Sequence, residues 1–413
     1  MVPPWSGLCR HKLTASVLLR KKRDSSLVKP FFLKHPSAAS ARRAVSALFV
    51  GNGFAFGVWS AHIAVFKQNY QLSNQQLTLP LFTLALGAIL SMPIVGRLFH
   101  RFDSSAIAWK GQICYAVLLS LLPWTRSLTW LALGTFLFGL CRGTVDVSTN
   151  TQAIVTERAY GSAVMSSLQG FWSLGGVIGA GFSSLLLRQH ASARQDLAAA
   201  AAAMIVTVSV SRPYLLADEA PVDPPAGWSL IPRPLWALAA VAFLSLFIEG
   251  SIGDWGAVYL RSILHVSAAT AATGYAAFSL SMMTGCFVGD YLNMKVGPTN
   301  LLRISGTLVA VGFGFALIGK TYTGAMFGLL IAGFGTSNMI ALIFGAAARR
   351  SPGGVGAAIA AASSVGYLGF LVGPPVVGSL AGVVGLRVAL ALVVVAGTVI
   401  SLSARKVLGE AAS

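Results

Sequence analysis

Gly139-Leu140-Cys141-Arg142-Gly143-Thr144-Val145-Asp146-Val147-Ser148-Thr149-Asn150 closes an apolar run that begins near Leu128. The run is long enough for a membrane helix, yet its last turns carry an arginine and an aspartate. Arg142, Asp146 and Asn150 stand at i, i+4 and i+8, so a helix places all three on one face. A charged side chain at the centre of a membrane helix costs about 2.5–3.5 kcal/mol on insertion scales. Such groups face the interior of a bundle or a water-filled path. An Arg–Asp pair can serve helix packing alone, but a polar face three residues deep reads better as the lining of a substrate or proton pathway.

Composition carries this reading to the whole chain. Of 413 residues, 55% are hydrophobic and only 10% charged, whereas soluble domains carry about 25% charged residues. This is an integral membrane protein. It has 12 acidic residues, and three of them, Asp146, Glu249 and Asp254, lie inside apolar runs, with Asp290 at the end of another. A chain so poor in acids has placed a quarter of them where they cost most. The four cysteines (Cys9, Cys114, Cys141, Cys286) are scattered, so neither a disulfide framework nor a metal site is expected.

Apolar runs of spanning length, about 20 residues, recur twelve times. The first six fall near 44–66, 77–97, 106–124, 128–148, 161–187 and 197–216. The second six fall near 235–259, 269–289, 300–319, 322–347, 354–383 and 385–403. The segmentation is a basic extension over residues 1–43, a six-helix bundle over 44–216, a linker over 217–234, a second bundle over 235–403 and a tail over 404–413. Residues 1–43 hold ten Lys/Arg and one acid, Asp24, and are read as a cytoplasmic extension; a transit peptide shares this composition. With that end inside, 22 of the 30 basic residues fall on the inner side. The bias places both termini in the cytoplasm and accounts for the net charge of +18 without nucleic acid.

The halves echo each other. Gly57-Val58-Trp59 answers Gly253-Asp254-Trp255-Gly256, and Gly96–Phe102 answers Gly289–Lys295. Thr149-Asn150 answers Ser337-Asn338, and Gly170–Gly175 answers Val365–Phe370. Related halves imply a binding site at their interface and alternating access by rocking one against the other. The fold class is therefore all-α integral membrane, twelve transmembrane helices in two related six-helix halves.

Gly314-Phe315-Ala316-Leu317-Ile318-Gly319-Lys320-Thr321 fits the phosphate-loop pattern, which needs a preceding strand and a following helix. Here the first glycine sits inside an apolar span, so nucleotide binding is set aside.

From residue 44 onward the chain resembles the major facilitator superfamily. Gly96-Arg97-Leu98-Phe99-His100-Arg101-Phe102 is similar to that family's Gly-x-Leu-x-Asp-Arg-x-Gly gating motif, with His100 at the acid's place and Asp103-Ser104 where glycine is usual. Gly289-Asp290 is its degenerate second copy. Three stretches, Glu249–Trp255, Ser166–Gly175 and Gly366–Pro375, resemble bacterial inner-membrane facilitators distantly related to the fucose:proton symporter. In that symporter a fourth-span Glu is followed four residues later by Asn and serves substrate or proton binding; Asp146 and Asn150 stand at those places. Its first-span Asp has no counterpart, with Ser60 or His62 nearest. The resemblance implies the facilitator fold, an inner-membrane location and a small-molecule substrate.

The residues then fall into roles. Asp146, Glu249 and Asp254 are candidates for proton coupling, because burial disfavours the charged form of a carboxyl and suits it to taking up and releasing a proton. Glu249 lies about 21 Å along its span at 1.5 Å per residue, near mid-membrane. Asp254 shares its face only where Gly250, Gly253 or Gly256 lets the helix bend. Arg142, Asn150, Gln169, Asn338, Trp59, Trp172 and Tyr367 are candidates for substrate contact, amides orienting a solute while aromatic faces pack on it. Gly96, Arg97, Arg101, Gly289 and Asp290 are the gating candidates. His62 either titrates near neutral pH or is a satisfied structural histidine. Pro374-Pro375 should bend the eleventh helix.

The expected protein is a monomeric secondary transporter in a lipid bilayer, moving a sugar or other small metabolite with protons and without a cofactor. A transporter-like sensor or scaffold is the alternative, kept alive by the degenerate gating motif. A membrane-embedded enzyme would need an acid cluster at divalent-metal spacing or an interfacial His/Asp pair, and the spacing offers neither.

Overall fold

The computed structural model describes residues 36–161, 164–217, 235–350 and 355–409. Most of the expected basic extension and nearly all of the expected linker lie outside them. Every regular element described is helical. Twelve helices are long and apolar enough to cross a membrane: Ala38–Asn69, Asn74–Leu98, Ser104–Trp124, Leu128–Tyr160, Ser167–Arg188 and Ala193–Tyr214, then Trp236–Ile263, Ala268–Val296, Pro298–Ile318, Tyr322–Ala347, Val365–Val384 and Leu386–Leu408. They are spans 1 to 12 below. With twelve crossings, both ends of the described chain share one face, termed here the terminal face.

Local chemistry sets the ends of these helices. Ser73 and Ser192 open spans 2 and 6 with reciprocal capping boxes to Gln76 and Gln195, satisfying donors that the first helical turn leaves free. Gly161 ends span 4 in the left-handed region at φ 76°, which a residue without Cβ adopts cheaply. Glu157 then reaches forward, its Oε2 accepting from the backbone N–H groups of Val164 and Met165 at 2.8 and 3.2 Å. Its negative charge complements the N-terminal end of the next helix. Arg387 caps the other end of a helix, donating to the carbonyls of Leu317 and Ile318 where span 9 stops.

Several helices outrun their apolar runs. Span 1 starts at Ala38 rather than 44, span 4 continues to Tyr160 rather than 148, and span 8 to Val296 rather than 289. Apolar length reports only the part in hydrocarbon, while backbone hydrogen bonding carries the helix on into water. Gly289-Asp290 therefore sits within the last turns of span 8 and not in a loop after it. Span 10 differs in the opposite sense, crossing as two helices, Tyr322–Thr336 and Met339–Arg350. At the break the Asn338 amide donates to the Gly285 carbonyl (3.1 Å) and the Ser337 hydroxyl (2.8 Å), pinning the interruption to span 8. Span 11 lies in the helix Val355–Val384, which runs through Pro374 and Pro375 without interruption.

Packing repeats between the halves. Span 1 lies on span 5 as span 7 lies on span 11; span 2 on span 4 as span 8 on span 10; span 3 on span 6 as span 9 on span 12. Small residues make these approaches possible. A Cβ at Gly53 would strike the Trp172 carbonyl, and one at Gly175 would strike that of Val50, so spans 1 and 5 touch backbone to backbone. Spans 5 and 8, and spans 2 and 11, join one half to the other. Hydrogen bonds between the halves lie toward the face opposite the termini: Ser60 Oγ donates to the Gly253 carbonyl (2.5 Å), Ser184 Oγ to that of Ala269 (2.8 Å), and Arg261 to Gln68.

Candidate functional site

Span 4 delivers Arg142, Asp146 and Asn150 on one face, as their spacing requires. Arg142 Nε stands 3.9 Å from Asp146 Oδ2. Asn52 of span 1, buried among glycines, donates through Nδ2 to Asp146 Oδ1 at 2.5 Å. Asn150 Nδ2 donates to the Asp146 carbonyl at 2.7 Å, and its Oδ1 accepts from Gln169 Nε2 of span 5 at 3.4 Å. Asp146 is thus held from two helices, by a charge and by an amide.

Two aromatic rings lie against the guanidinium of Arg142. Its central carbon lies 4.1 Å from the centroid of Phe56 in span 1 and 5.5 Å from that of Phe370 in span 11. Such contacts are worth about 2 kcal/mol when desolvated. Both rings are seated on glycines of span 7, since a Cβ at Gly253 would meet Phe56 and one at Gly250 would strike Phe370. The residues flanking those glycines are Glu249 and Asp254. Each is buried, at 9% and 8% exposure, and each lies within electrostatic reach of Arg142. The two acids therefore address the same cation although they sit five residues apart. No hydrogen-bonding partner of either carboxyl is found among the described residues.

Aromatic and hydroxyl groups complete the surroundings. Trp172 stacks on Phe56 at 5.9 Å, and Tyr275 meets the same ring edge-on at 5.4 Å. Tyr367 lies beside Phe370, centroids 6.3 Å apart, within electrostatic reach of Asp146, Arg142 and Glu249. Spans 1, 4, 5, 7, 8 and 11 all contribute. A cation, three acids and rings from both halves meet at one place.

Comparison of the chain with family models identifies its family. The Major Facilitator Superfamily model matches residues 44–374. The chain belongs to the Major Facilitator Superfamily. An uncharacterised MFS-type transporter of Yersinia pestis is 29% identical over 361 residues, covering 86% of this chain and 92% of the relative. Membrane protein MosC of Rhizobium meliloti is 28% identical over 359 residues, covering 87% and 88%. Among solved structures, a bacterial homologue of the human lysosomal transporter Spinster, inward-facing and occupied, superposes with TM-score 0.72 at 15% identity over 89% of this chain and 96% of that one. The nucleoside transporter NupG superposes with TM-score 0.68 at 12% identity over 90% and 99%. At those identities the structures share a fold with this superfamily member, an integral membrane transporter.

Eight of the ten substrate and coupling candidates gather at the cluster. Trp59 and Asn338 do not. Trp59 is buried against Phe66 and Phe138 inside the first half. Asn338 sits against Gly289 at the break of span 10 and lines a separate cavity of about 660 Å³ at the terminal face, with Asp290, Asn293, Arg349 and Arg350. Of the gating candidates, Gly289 and Asp290 line that cavity, while Gly96 is buried near the end of span 2 and Arg97 and Arg101 are exposed. Asn52, Phe56, Tyr275 and Phe370 escaped the reading of the sequence. Asn52 was detectable as an amide deep in an apolar run; the three rings look like any other apolar residue of their spans.

Proposed function

We propose that this protein is a secondary active transporter that moves a small polar solute by alternating access, driven by protons. One observation carries the reading: Glu249 and Asp254 of the second half lie within electrostatic reach of Arg142 of the first. Carboxyl groups that share one guanidinium compete for it, so protonating one releases the cation toward another. A proton and a conformational change can be linked through that exchange. Asp146 and Asn150 also match the acid–amide pair of the fucose:proton symporter, which supports giving them substrate or proton contact. Gln169, Trp172 and Tyr367 supply an amide, a ring and a hydroxyl for the solute.

The remaining assignments follow from topology. The positive-inside bias makes the terminal face cytoplasmic, in an inner membrane for a bacterial host. The hydrogen bonds that join the halves then lie at the outer side. Six-helix bundles over 44–216 and 235–403 would rock about the cluster.

The test is proton flux in proteoliposomes under a screen of sugars, nucleosides and small metabolites, with Asp146→Asn and Glu249→Gln alongside the natural protein. A solute that carries protons in the natural protein, and fails to in either variant while still binding, supports the reading. Solute movement without protons, unaltered in both variants, would overturn the coupling mechanism.

A further inference from the structure

The chemistry of the solute can be narrowed from the charge balance of the cluster, given the transporter reading above. Among the described residues Arg142 is the one cation at the cluster, and it already has an anionic neighbour. The rings of Phe56 and Phe370 lie against its guanidinium, and its Nε stands 3.9 Å from Asp146 Oδ2. A carboxylate or phosphate at that guanidinium would have to compete with Asp146 for it. The acids, by contrast, outnumber the cation. Three carboxyls, Asp146, Glu249 and Asp254, stand against one guanidinium, so the cluster carries −1 with two of them ionised and −2 with all three.

The other titratable groups turned toward the cluster cannot reverse that sign. Tyr115 of span 3 and Tyr275 of span 8 surround Arg142, Tyr367 of span 11 faces Asp146, and Cys286 of span 8 faces Glu249. Each is neutral or, when ionised, negative. Spans 1 and 5 add Asn52, Phe56 and Trp172, which carry no charge. Among the described residues no lysine or second arginine acts on Glu249 or Asp254.

We propose that the cluster selects its solute by charge, admitting neutral or cationic solutes and rejecting anions. Arg142 works as an internal counter-ion beside two rings, and the solute meets carboxyls, amides and aromatic faces. An amine would find Glu249 or Asp254, and a hydroxylated neutral solute would use the same groups as hydrogen-bond partners. With two or more of the acids ionised, a carboxylate or phosphate would enter a space of its own sign, where like charge disfavours it.

The test does not require the natural solute. In a background with Cys9, Cys114, Cys141 and Cys286 replaced by serine or alanine, a single cysteine is placed by Asn150→Cys, and separately by Gln169→Cys should the first fold poorly. Its reaction rates with trimethylammonioethyl and sulfonatoethyl methanethiosulfonate are measured at low ionic strength and divided by those of a free thiol. The cationic reagent should be favoured by roughly tenfold or more. The preference should fall toward unity with Glu249→Gln and Asp254→Asn together, and should shrink in high salt. A normalised ratio of one or below, or a preference untouched by neutralising both acids, overturns the proposal. Failure of both cysteines to react with either reagent overturns instead the underlying reading of a water-accessible path.

Discussion

His62 in span 1 and Asp196 in span 6 face each other across 3.2 Å, Nε2 to Oδ2, with neither side chain exposed. His62 Nδ1 lies 2.9 Å from the Val58 carbonyl, an acceptor only, so that nitrogen carries a proton. Nε2 then faces the carboxylate. Ser183 of span 5 donates to the other carboxylate oxygen at 3.3 Å, so the pair ties three helices of the first half together. Removing one partner strands the other without solvent, a loss of about 3–5 kcal/mol. His62→Ala and Asp196→Ala should each lower the thermal unfolding midpoint in detergent sharply. The double change His62→Leu with Asp196→Leu should recover much of the loss, since an apolar pair leaves no orphaned charge. Equal stability of the single variants and the natural protein would show the pair to be dispensable.

The hydrogen bond from Asn52 to Asp146 sets a second expectation. A bond to a charged group contributes about 1.5–3 kcal/mol. In a double-mutant cycle of Asn52→Ala and Asp146→Asn, read by thermal unfolding, a coupling of about that size is expected. Additive effects would place the two groups out of contact.

Gly250 and Gly253 are the seats of Phe370 and Phe56, which clamp Arg142. Gly250→Val should push Phe370 off the guanidinium and lower transport by about tenfold or more, because misplacing a positioned group by an ångström is costly. Gly181→Ala is the control, as nothing lies within 4 Å of the added carbon; its transport should match the natural protein.

Ser184 and the Ala269 carbonyl join spans 5 and 8 at the face away from the termini. In a cysteine-free background, Ser184→Cys with Ala269→Cys should form a disulfide on oxidation. Transport should stop when the bond forms and return on reduction, as alternating access requires this contact to part. Undiminished transport by the cross-linked protein would mean that the halves move without opening here.

Much of this fold was legible in advance because membrane helices obey a one-dimensional rule. Hydrocarbon demands about 20 apolar residues per crossing, so twelve runs and their repeat announced twelve helices in two halves. Arg142, Asp146 and Asn150 were recognisable for the same reason, since charge among apolar residues is conspicuous and helical spacing alone puts them on one face. What the rule misses is direction across the bundle. Asp196 stands near Arg194 at the hydrophilic start of span 6 and reads as a loop acid, yet it is buried because His62 arrives from span 1. Asn150 and Asn338 hold matching places in the repeat but different environments, one beside Asp146 and one plugging a broken helix.

Local sequence thus decided which segments cross the membrane and where costly polar groups lie along each. Only the packed bundle decided that Glu249 and Asp254 share Arg142, that Phe56 and Phe370 close over it, and that Trp59 turns away. The reason is physical: burial along a chain is governed by its own composition, whereas the partner of a buried charge comes from other helices, brought within reach by glycine contacts between backbones.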